Sequence, residues 1–498
     1  MATNKSYDIE NPLVILKNLL VNFFSTSAVK IIGILLVPVY TNYLSTNEYG
    51  ALELMLILSN FLLLLYPMGL KSAGGRLYFA YLEKKGLDKE GKELKVFISQ
   101  NIFLITISTV LQICIFLLLG DIFWDKNYLG VSYTPFVTTI ILASGLRMYY
   151  PIVLKLIQSR GDSIKLAQFT IVYSLLGVML NIFFIVVLGY GIIGFLYAYI
   201  ITGLVVLILT FLYLKDDLIF SINTKMIKES ISYSSPLLLS SLFAFSYTFA
   251  DRFIISFSSS NSEVGIYSLA AKYAILLSLI HVAITRVLNP YFYSKLSKQN
   301  TDIKSLILTS KYNIIVFIVI GLIMALFSQD FINIIAPDSY SKAGIIAPIL
   351  ILGYTIQSFY FNSTRILFFF KKTKVIYISS IVVGGLSFLL NILLIPQFGS
   401  VGAASVFVFS ILLHSLILYY FAQKTFRLDY NYSGLVGLII VLIIIIISFL
   451  AFLPIEFDIY LFRIKLVLAF TTLSFIFFKY FGIQQTKQAI LKIKKMSS

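Results

Sequence analysis

LNIFFIVVLGYGIIGFLYAYI, residues 180–200, returns as LNILLIPQFGSVGAASVFVFS, residues 390–410. Each copy places an asparagine (Asn181, Asn391) ahead of an apolar run. A short turn with G-x-x-G follows (Gly191/Gly194, Gly399/Gly402), and then a second apolar run. Asn391 follows Asn181 by 210 residues, and Gly402 follows Gly194 by 208. Upstream, STNEYGALEL around Gly50 returns as SNSEVGIYSL around Gly265, 215 residues later. A period near 210 residues means two similar halves. The G-x-x-G glycines read as turns too tight for a Cβ, outside any membrane layer.

Outward from these units, apolar runs of about 20 residues recur along the whole chain, long enough to cross a bilayer as helices. We place fourteen, at 18–40, 49–70, 97–120, 135–157, 166–188, 192–214, 231–250, 264–289, 307–327, 345–369, 375–396, 401–421, 434–453 and 458–479. The serine-rich 231–250 is the least apolar in character. Composition agrees: 59% of residues are hydrophobic, only 12% are charged, and the mean hydropathy is +0.93. Soluble domains carry about 25% charged residues. The expected fold is an all-α polytopic membrane protein of about 14 transmembrane helices. Two six-helix bundles, 1–217 and 218–427, precede two extra helices and a basic tail at 428–498. Six is even, so both bundles enter the bilayer from the same side, and the repeat is parallel, about an axis along the membrane normal.

The formal net charge is +17. Its placement excludes nucleic acid as the partner. Lys71, Arg76, Lys84, Lys85, Lys89, Lys92 and Lys95 crowd the loop at 71–96, and the next loop has only Lys126. Lys155, Arg160 and Lys165 follow; then, after another non-basic loop, Lys215, Lys225 and Lys228. Arg252 stands in the next loop, Lys295, Lys298 and Lys304 in the one after, then Lys342, then Lys371, Lys372 and Lys374. Lys424 and Arg427, and finally the tail lysines 487, 492, 494 and 495, complete an unbroken alternation. Basic loops stay on the cytoplasmic side, so both termini are expected to be cytoplasmic, with the basic loops touching inner-leaflet lipid. Cys114 is the only cysteine, which excludes an intrachain disulfide or a cysteine metal site. MATNKSYDIENP at the start lacks a signal-peptide pattern.

Eight basic residues fall within the spans: Lys30, Arg147, Lys272, Arg286, Lys311, Arg365, Arg463 and Lys465. Arg463 and Lys465 lie close enough to an outer end to snorkel. Arg286, Lys311 and Arg365 lie toward inner ends, where snorkelling and a substrate role are both open. Lys30, Arg147 and Lys272 lie at least roughly 12 Å deep, at 1.5 Å rise per residue. An ammonium at mid-bilayer costs about 2.5–3.5 kcal/mol on insertion scales. Glu53 is the one carboxylate clearly within a span, and Asp251 sits at an edge, so internal ion pairing does not cover the cations. The excess points to a water-filled cationic cavity for an anionic group, with local pairing as the alternative. Lys272 and Arg286, 14 residues apart on one span, point within about 40° of each other.

Span one carries Ser25, Thr26, Ser27 and Pro38; span seven carries Ser232, Ser234, Ser235, Ser240, Ser241, Ser246 and Pro236. Small polar residues line water or allow close packing, and prolines permit bending. His281 and His414 read as packing residues rather than proton carriers. Glu53 and Asp251 are the ion-coupling candidates. Glu53 is equally open as a structural partner, and Asp251-Arg252 reads as an outer-edge ion pair. Asp216-Asp217 reads as a solvated pair.

The chain resembles the Wzx-type polysaccharide repeat-unit (O-antigen/capsule) flippases of the MATE-like exporter superfamily, which also holds multidrug exporters and lipid II flippases. The resemblance lies in KIIGILLVPVYTNYLSTNEYGALEL at the first two spans and MGLKSAGGRLYF after them. It continues in FADRFIISF and EVGIYSLAAKYA at spans seven and eight, and in the two LNI units with G-x-x-G. It implies a bacterial cytoplasmic-membrane flippase for polyprenyl-pyrophosphate-linked oligosaccharide, with a central cationic cavity, alternating access and coupling to an H+ or Na+ gradient. No cofactor is implied. The implied partners are the lipid-linked oligosaccharide, membrane lipids, a polysaccharide polymerase and other assembly proteins. Lipid II flippases use basic residues on their first and eighth helices, where this chain has Lys30 and Lys272. Many relatives carry a basic residue just after the first span, where this chain has Thr41-Asn42.

Three rival readings are weighed. A multidrug exporter of cations needs buried acids, and this chain has buried bases. A lipid II or teichuronic-acid exporter, a relative in the same superfamily, stays open as an alternative. A membrane polysaccharide polymerase, the enzyme reading, needs a sizeable outer loop with acids and bases; the longest outer loop, 328–344, offers only Asp330 and Asp338. There is no G-x-x-x-x-G-K-[ST] phosphate loop for ATP.

Overall fold

The computed structural model describes residues 33, 35–71, 77–78, 81, 92–124, 131–219, 221–296 and 303–428. Lys30 and the spans expected at 434–453 and 458–479 lie outside the described residues, as does most of the span at 18–40. No strand occurs among the described residues. The α-helices are α1 (Val37–Tyr43), α2 (Thr46–Leu65), α3 (Lys92–Phe123), α4 (Thr138–Arg147), α5 (Tyr149–Arg160), α6 (Ser163–Asn181) and α7 (Gly191–Leu214). They continue as α8 (Thr224–Ser258), α9 (Asn261–Leu296), α10 (Ile303–Leu326), α11 (Ser328–Ile335), α12 (Ala343–Phe369) and α13 (Thr373–Thr425). Among the described residues nine helices are long and apolar enough to cross a membrane, or ten if the bent α8 is one span. The 53-residue α13 is broken at Gly399 (φ 55°), so it carries both the 375–396 and the 401–421 spans.

Helix limits follow from local chemistry. Ser45 and Glu48 form a reciprocal capping box at the start of α2: the Ser45 N–H donates to Glu48 Oε2 at 2.9 Å and the Glu48 N–H to Ser45 Oγ at 3.2 Å. Asp162 caps α6 and Asn223 caps α8. Gly161, at φ 67°, ends α5 in the left-handed conformation.

The chain divides into two compact units. The first comprises the described parts of Met1–Leu269 with Tyr377–Val406, and the second those of Ala270–Ile376 with Phe407–Ser498. Within the first unit, both G-x-x-G turns take the form expected of them. Gly191 and Gly399 each sit at φ 55°. A Cβ on Gly194 would lie 2.9 Å from Phe184 O, and one on Gly402 would lie 2.8 Å from Leu394 O. In both copies the first glycine makes the turn and the second lets the helix start press on the preceding helix.

The repeated STNEYG and SNSEVG segments meet each other. A Cβ on Gly50 would lie 1.7 Å from Asn261 O, and one on Gly265 would lie 2.4 Å from Thr46 O. Thr46 Oγ1 and Ser262 Oγ are hydrogen-bonded at 2.6 Å. Repeat-equivalent residues therefore touch across a local pseudo-two-fold, at the ends of α2 and α9 remote from the most basic loops. At the other end of α2, Gly69 (φ 77°) brings the chain against α8, where a Cβ would lie 2.7 Å from Ser234 O.

The bend in α8 falls between Phe243 and Thr248, at 45°, past Pro236. Ser235 and Ser241 donate to the carbonyls of Ile231 and Leu237 one turn back, a geometry that bends helices and satisfies hydroxyls without water. Asp217 is not a solvated acid: its Oδ1 pairs with Arg160 at 2.7 Å. The Ser99 hydroxyl donates to its backbone carbonyl at 2.9 Å. The tight 215–219 segment folds back onto α3 and α5, so an acid that looks loop-borne in sequence meets a helix-terminal arginine.

In the second unit, α10 lies along α12. A Cβ on Gly321 would meet Thr355 Oγ1 at 2.2 Å, so the glycine seats the threonine. Phe292, Leu296, Leu306, Ile366, Leu367, Leu418 and Ala422 form its core near the basic loops.

Candidate functional site

Arg147 ends α4, and α5 starts two residues later with Tyr149 and Tyr150. Its guanidinium lies over the Tyr199 ring, 3.5 Å from the centroid, and 5.2 Å from that of Tyr173. It also donates to the Tyr173 hydroxyl. Tyr173 stacks on Tyr150 with centroids 4.0 Å apart. Gly203 on α7 makes the room: a Cβ there would lie 3.1 Å from Arg147 Cγ. Tyr199 is fixed in turn by a hydrogen bond with Ser59, which accepts from Ser144 at 2.8 Å. Among the described residues no carboxylate pairs with Arg147. Aromatic faces stabilise a desolvated cation by up to about 2 kcal/mol and leave its full charge in place. The site is thus a positive charge held in position inside a membrane span, suited to attract an anion rather than to do acid–base chemistry.

Glu53 is 7% exposed and faces the interior of the first unit from α2, the helix that also supplies Ser59. Asp251 forms the expected ion pair with Arg252 at 2.9 Å. Its other oxygen accepts from the Tyr267 hydroxyl at 2.6 Å. Both oxygens of Asp251 are therefore engaged.

In the second unit, Lys272 on α9 and Lys311 on α10 are half-buried. Arg365 on α12 is 2% exposed. Its Nε donates to Asn289 Oδ1 at 2.7 Å, and its guanidinium lies 5.0 Å from the Phe292 centroid. It packs inward and does not snorkel. The α9 backbone carries Arg286, whose side chain lies outside the described residues, as does Lys30. The structure brings Arg147 together with three tyrosines and two serines of the first unit; Lys272, Lys311 and Arg365 are in the second. His281 packs between Phe317 and Phe361, each centroid 4.1 Å away, with no hydrogen-bond partner for either nitrogen among the described residues. It is a packing residue, as read from the sequence, but an unsatisfied one.

Sequence reasoning missed a groove of about 820 Å³ between α9 and α10 at their basic-loop ends. Ser305, Thr309 and Asn313 line it one turn apart on α10, with Tyr291, Tyr312 and Lys304 beside them. Tyr291 and Ser305 are joined hydroxyl to hydroxyl at 2.8 Å. Asn313 Oδ1 has no hydrogen-bond partner among the described residues. A ligand pocket typically occupies roughly 300–1,000 Å³. The i, i+4, i+8 polar stripe in an otherwise apolar span was the available signal.

The fold is that of a multi-pass membrane protein, with one cation caged by aromatic rings inside a span. A family profile described as polysaccharide biosynthesis protein matches residues 15–296, more than half of the chain, and the protein belongs to that family. This bears out the resemblance read in the sequence. "Lsg locus putative protein 1" of Haemophilus influenzae is 24% identical over 166 residues, which are 31% of this chain and 41% of that protein. The chain therefore aligns with well under half of that relative's length. Among solved structures, the lipid II flippase MurJ in an inward closed conformation superposes with a TM-score of 0.73 at 14% identity, over 93% of this chain and 99% of that one. An inward-facing multidrug resistance MATE family transporter superposes with a TM-score of 0.64 at 13% identity, over 79% and 94%. At these identities the likeness is one of fold.

Proposed function

We propose that the protein is a flippase that moves polyprenyl-pyrophosphate-linked oligosaccharide repeat units across the bacterial cytoplasmic membrane for surface polysaccharide biosynthesis. The observation that carries this reading is Arg147, a guanidinium within a span that aromatic rings hold and no described carboxylate neutralises. A diphosphate is the anion that lipid-linked sugars bring. Lys30, Lys272, Arg286 and Lys311 supply further positive charge along its path, and Arg365 orders the second unit through Asn289. The groove with Ser305, Thr309 and Asn313 suits sugar hydroxyls. Residues 1–217 and 218–427 act as the two rocking bundles, and residues 428–498 as the added pair of helices and tail. The Gly50–Gly265 contact is their closed outer end, with both termini on the cytoplasmic side. Glu53, a buried carboxylate on a membrane-spanning helix, is the carrier for a coupling H+ or Na+. No catalysis is involved. A polymerase and other assembly proteins take over the product.

The test is complementation of a bacterium lacking its own repeat-unit flippase, with wild type, Lys30→Ala and Lys272→Ala. Surface polysaccharide restored by wild type and lost in both variants at normal membrane levels supports the reading. Failure of wild type across several repeat units, with drug resistance gained instead, replaces it with a multidrug exporter. A lipid II exporter is separated from it by rescue of a lipid II flippase deletion.

A further inference from the structure

A second cationic feature lies apart from Arg147 and serves no step above. At the basic-loop end of the first unit a pocket of about 40 Å³ opens among the chain just after α2, the start of α3, the second half of α5 and the end of α7. Its walls include Leu70, Phe97, Ile98, Ile102, Ile105 and Leu214. Into this apolar setting two lysines project from different elements, Lys71 and Lys155. The Lys71 side chain is exposed and that of Lys155 half-buried; partial desolvation against the apolar walls and, after it, the ammonium of Lys155 hold Lys71 below the ordinary lysine range. Neither lysine has a carboxylate partner among the described residues, and Lys155 has only Gln158 Oε1, at 3.4 Å. Asn101, which also lines the pocket, donates to Phe97 O at 2.9 Å, while its buried Oδ1 has no hydrogen-bond partner among the described residues.

Two like charges beside one pocket, neither with a carboxylate partner among the described residues, repel each other and raise the free energy of the empty site. An anion between them removes the repulsion. The volume takes about three waters or one phosphate group, by the roughly 10–15 Å³ that one water needs. A free sugar would find few hydroxyl partners on these walls. The basic-loop side of a membrane protein faces the leaflet that carries anionic lipid, and basic pockets between helices there bind lipid headgroups.

We propose that Lys71 and Lys155 form a site for the phosphate of an anionic inner-leaflet phospholipid, with Asn101 accepting from a headgroup hydroxyl or an ammonium and the apolar walls receiving the start of an acyl chain. The lipid ties α2, α3 and α5 together at their inner ends. It acts as a structural and regulatory ligand, distinct from the transported molecule.

The test uses the full-length protein in detergent, with phosphatidylglycerol, phosphatidylcholine and inorganic phosphate as probes. Native mass spectrometry counts retained lipids, and thermal unfolding reads stabilisation. Phosphatidylglycerol should bind and raise the melting temperature of wild type, while phosphatidylcholine should not. Each lysine near anionic lipid contributes roughly 1 kcal/mol, about 5-fold in affinity, so Lys71→Gln with Lys155→Gln should weaken binding about 25-fold. Lys71→Arg should retain it, and Lys374→Gln, in another basic loop, should leave it unchanged. Equal loss in Lys374→Gln would mean diffuse attraction and overturn the site. So would stabilisation by inorganic phosphate without phosphatidylglycerol binding, or wild type indifferent to both lipids. The wild-type melting shift does not depend on any variant folding.

Discussion

The Gly50–Gly265 contact sets a steric condition on alternating access. In Gly265→Ala the new Cβ would lie 2.4 Å from Thr46 O and 3.2 Å from Gly50 N. Ordinary contact begins near 3.4 Å, so α2 and α9 must separate by about 1 Å. In Gly50→Ala the Cβ would lie 1.7 Å from Asn261 O, and the separation needed is larger. Overpacking of this kind costs about 1–3 kcal/mol. Alanine's better helix propensity, about 1 kcal/mol, acts alike whether the ends are together or apart and cancels in the ratio. The closed population should therefore fall about 5- to 150-fold relative to the open one. The readout is the labelling rate of a single cysteine, Ser262→Cys in a Cys114→Ser background, by a membrane-impermeant maleimide added outside. Gly265→Ala should speed labelling at least 5-fold without loss of folded protein in the membrane, and Gly50→Ala should speed it more. Unchanged labelling in both, at wild-type protein levels, would refute the idea that this contact closes anything.

Thr46→Cys with Ser262→Cys, again with Cys114→Ser, replaces hydroxyls 2.6 Å apart with thiols that can form a disulfide near 2.05 Å. Oxidation should cross-link the pair and abolish transport, and reduction should restore it; transport that persists in the cross-linked protein would contradict a moving outer contact. Asp217→Asn leaves Arg160 without its partly buried partner, and should lower stability by roughly 1 kcal/mol, measured as a fall of a few degrees in melting temperature. Asn313→Leu with Thr309→Val removes polar groups from the α9–α10 groove. It should raise the half-saturating concentration of a lipid-linked oligosaccharide in a binding assay about 10-fold or less, while protein levels stay normal.

The repeat was legible because its markers are steric. Gly191, Gly194, Gly399 and Gly402 do one local job twice, and a turn that forbids a Cβ leaves its trace in sequence at any distance. The spans were legible because the bilayer enforces length and hydropathy, and Asp251-Arg252 because neighbours in sequence pair without tertiary help. What sequence did not reveal depends on contacts between remote segments. Arg147 reads as a buried charge of unknown surroundings until Tyr173 and Tyr199 arrive from α6 and α7, a cage made of residues that look like ordinary span aromatics. Arg365 read as open between snorkelling and a substrate role, since nothing local reveals that Asn289, 76 residues away, holds it inward. Pro236 marks where α8 is free to bend, but the bend falls between Phe243 and Thr248, where no residue type announces it. Gly50 and Gly265 announced themselves as equivalents; that equivalents also touch follows only from the fold.

The central claim is that an unneutralised cation inside the membrane captures a diphosphate-linked sugar lipid. It is tested most directly by translocation in proteoliposomes loaded with a polyprenyl-pyrophosphate-linked oligosaccharide, scored by access of an external glycosidase. Wild type should expose the sugar well above empty vesicles, Arg147→Lys should keep part of the activity, and Arg147→Gln should lose at least about 10-fold, the worth of 1.4 kcal/mol of lost attraction. Equal translocation by wild type and Arg147→Gln, with both correctly inserted, would contradict the account.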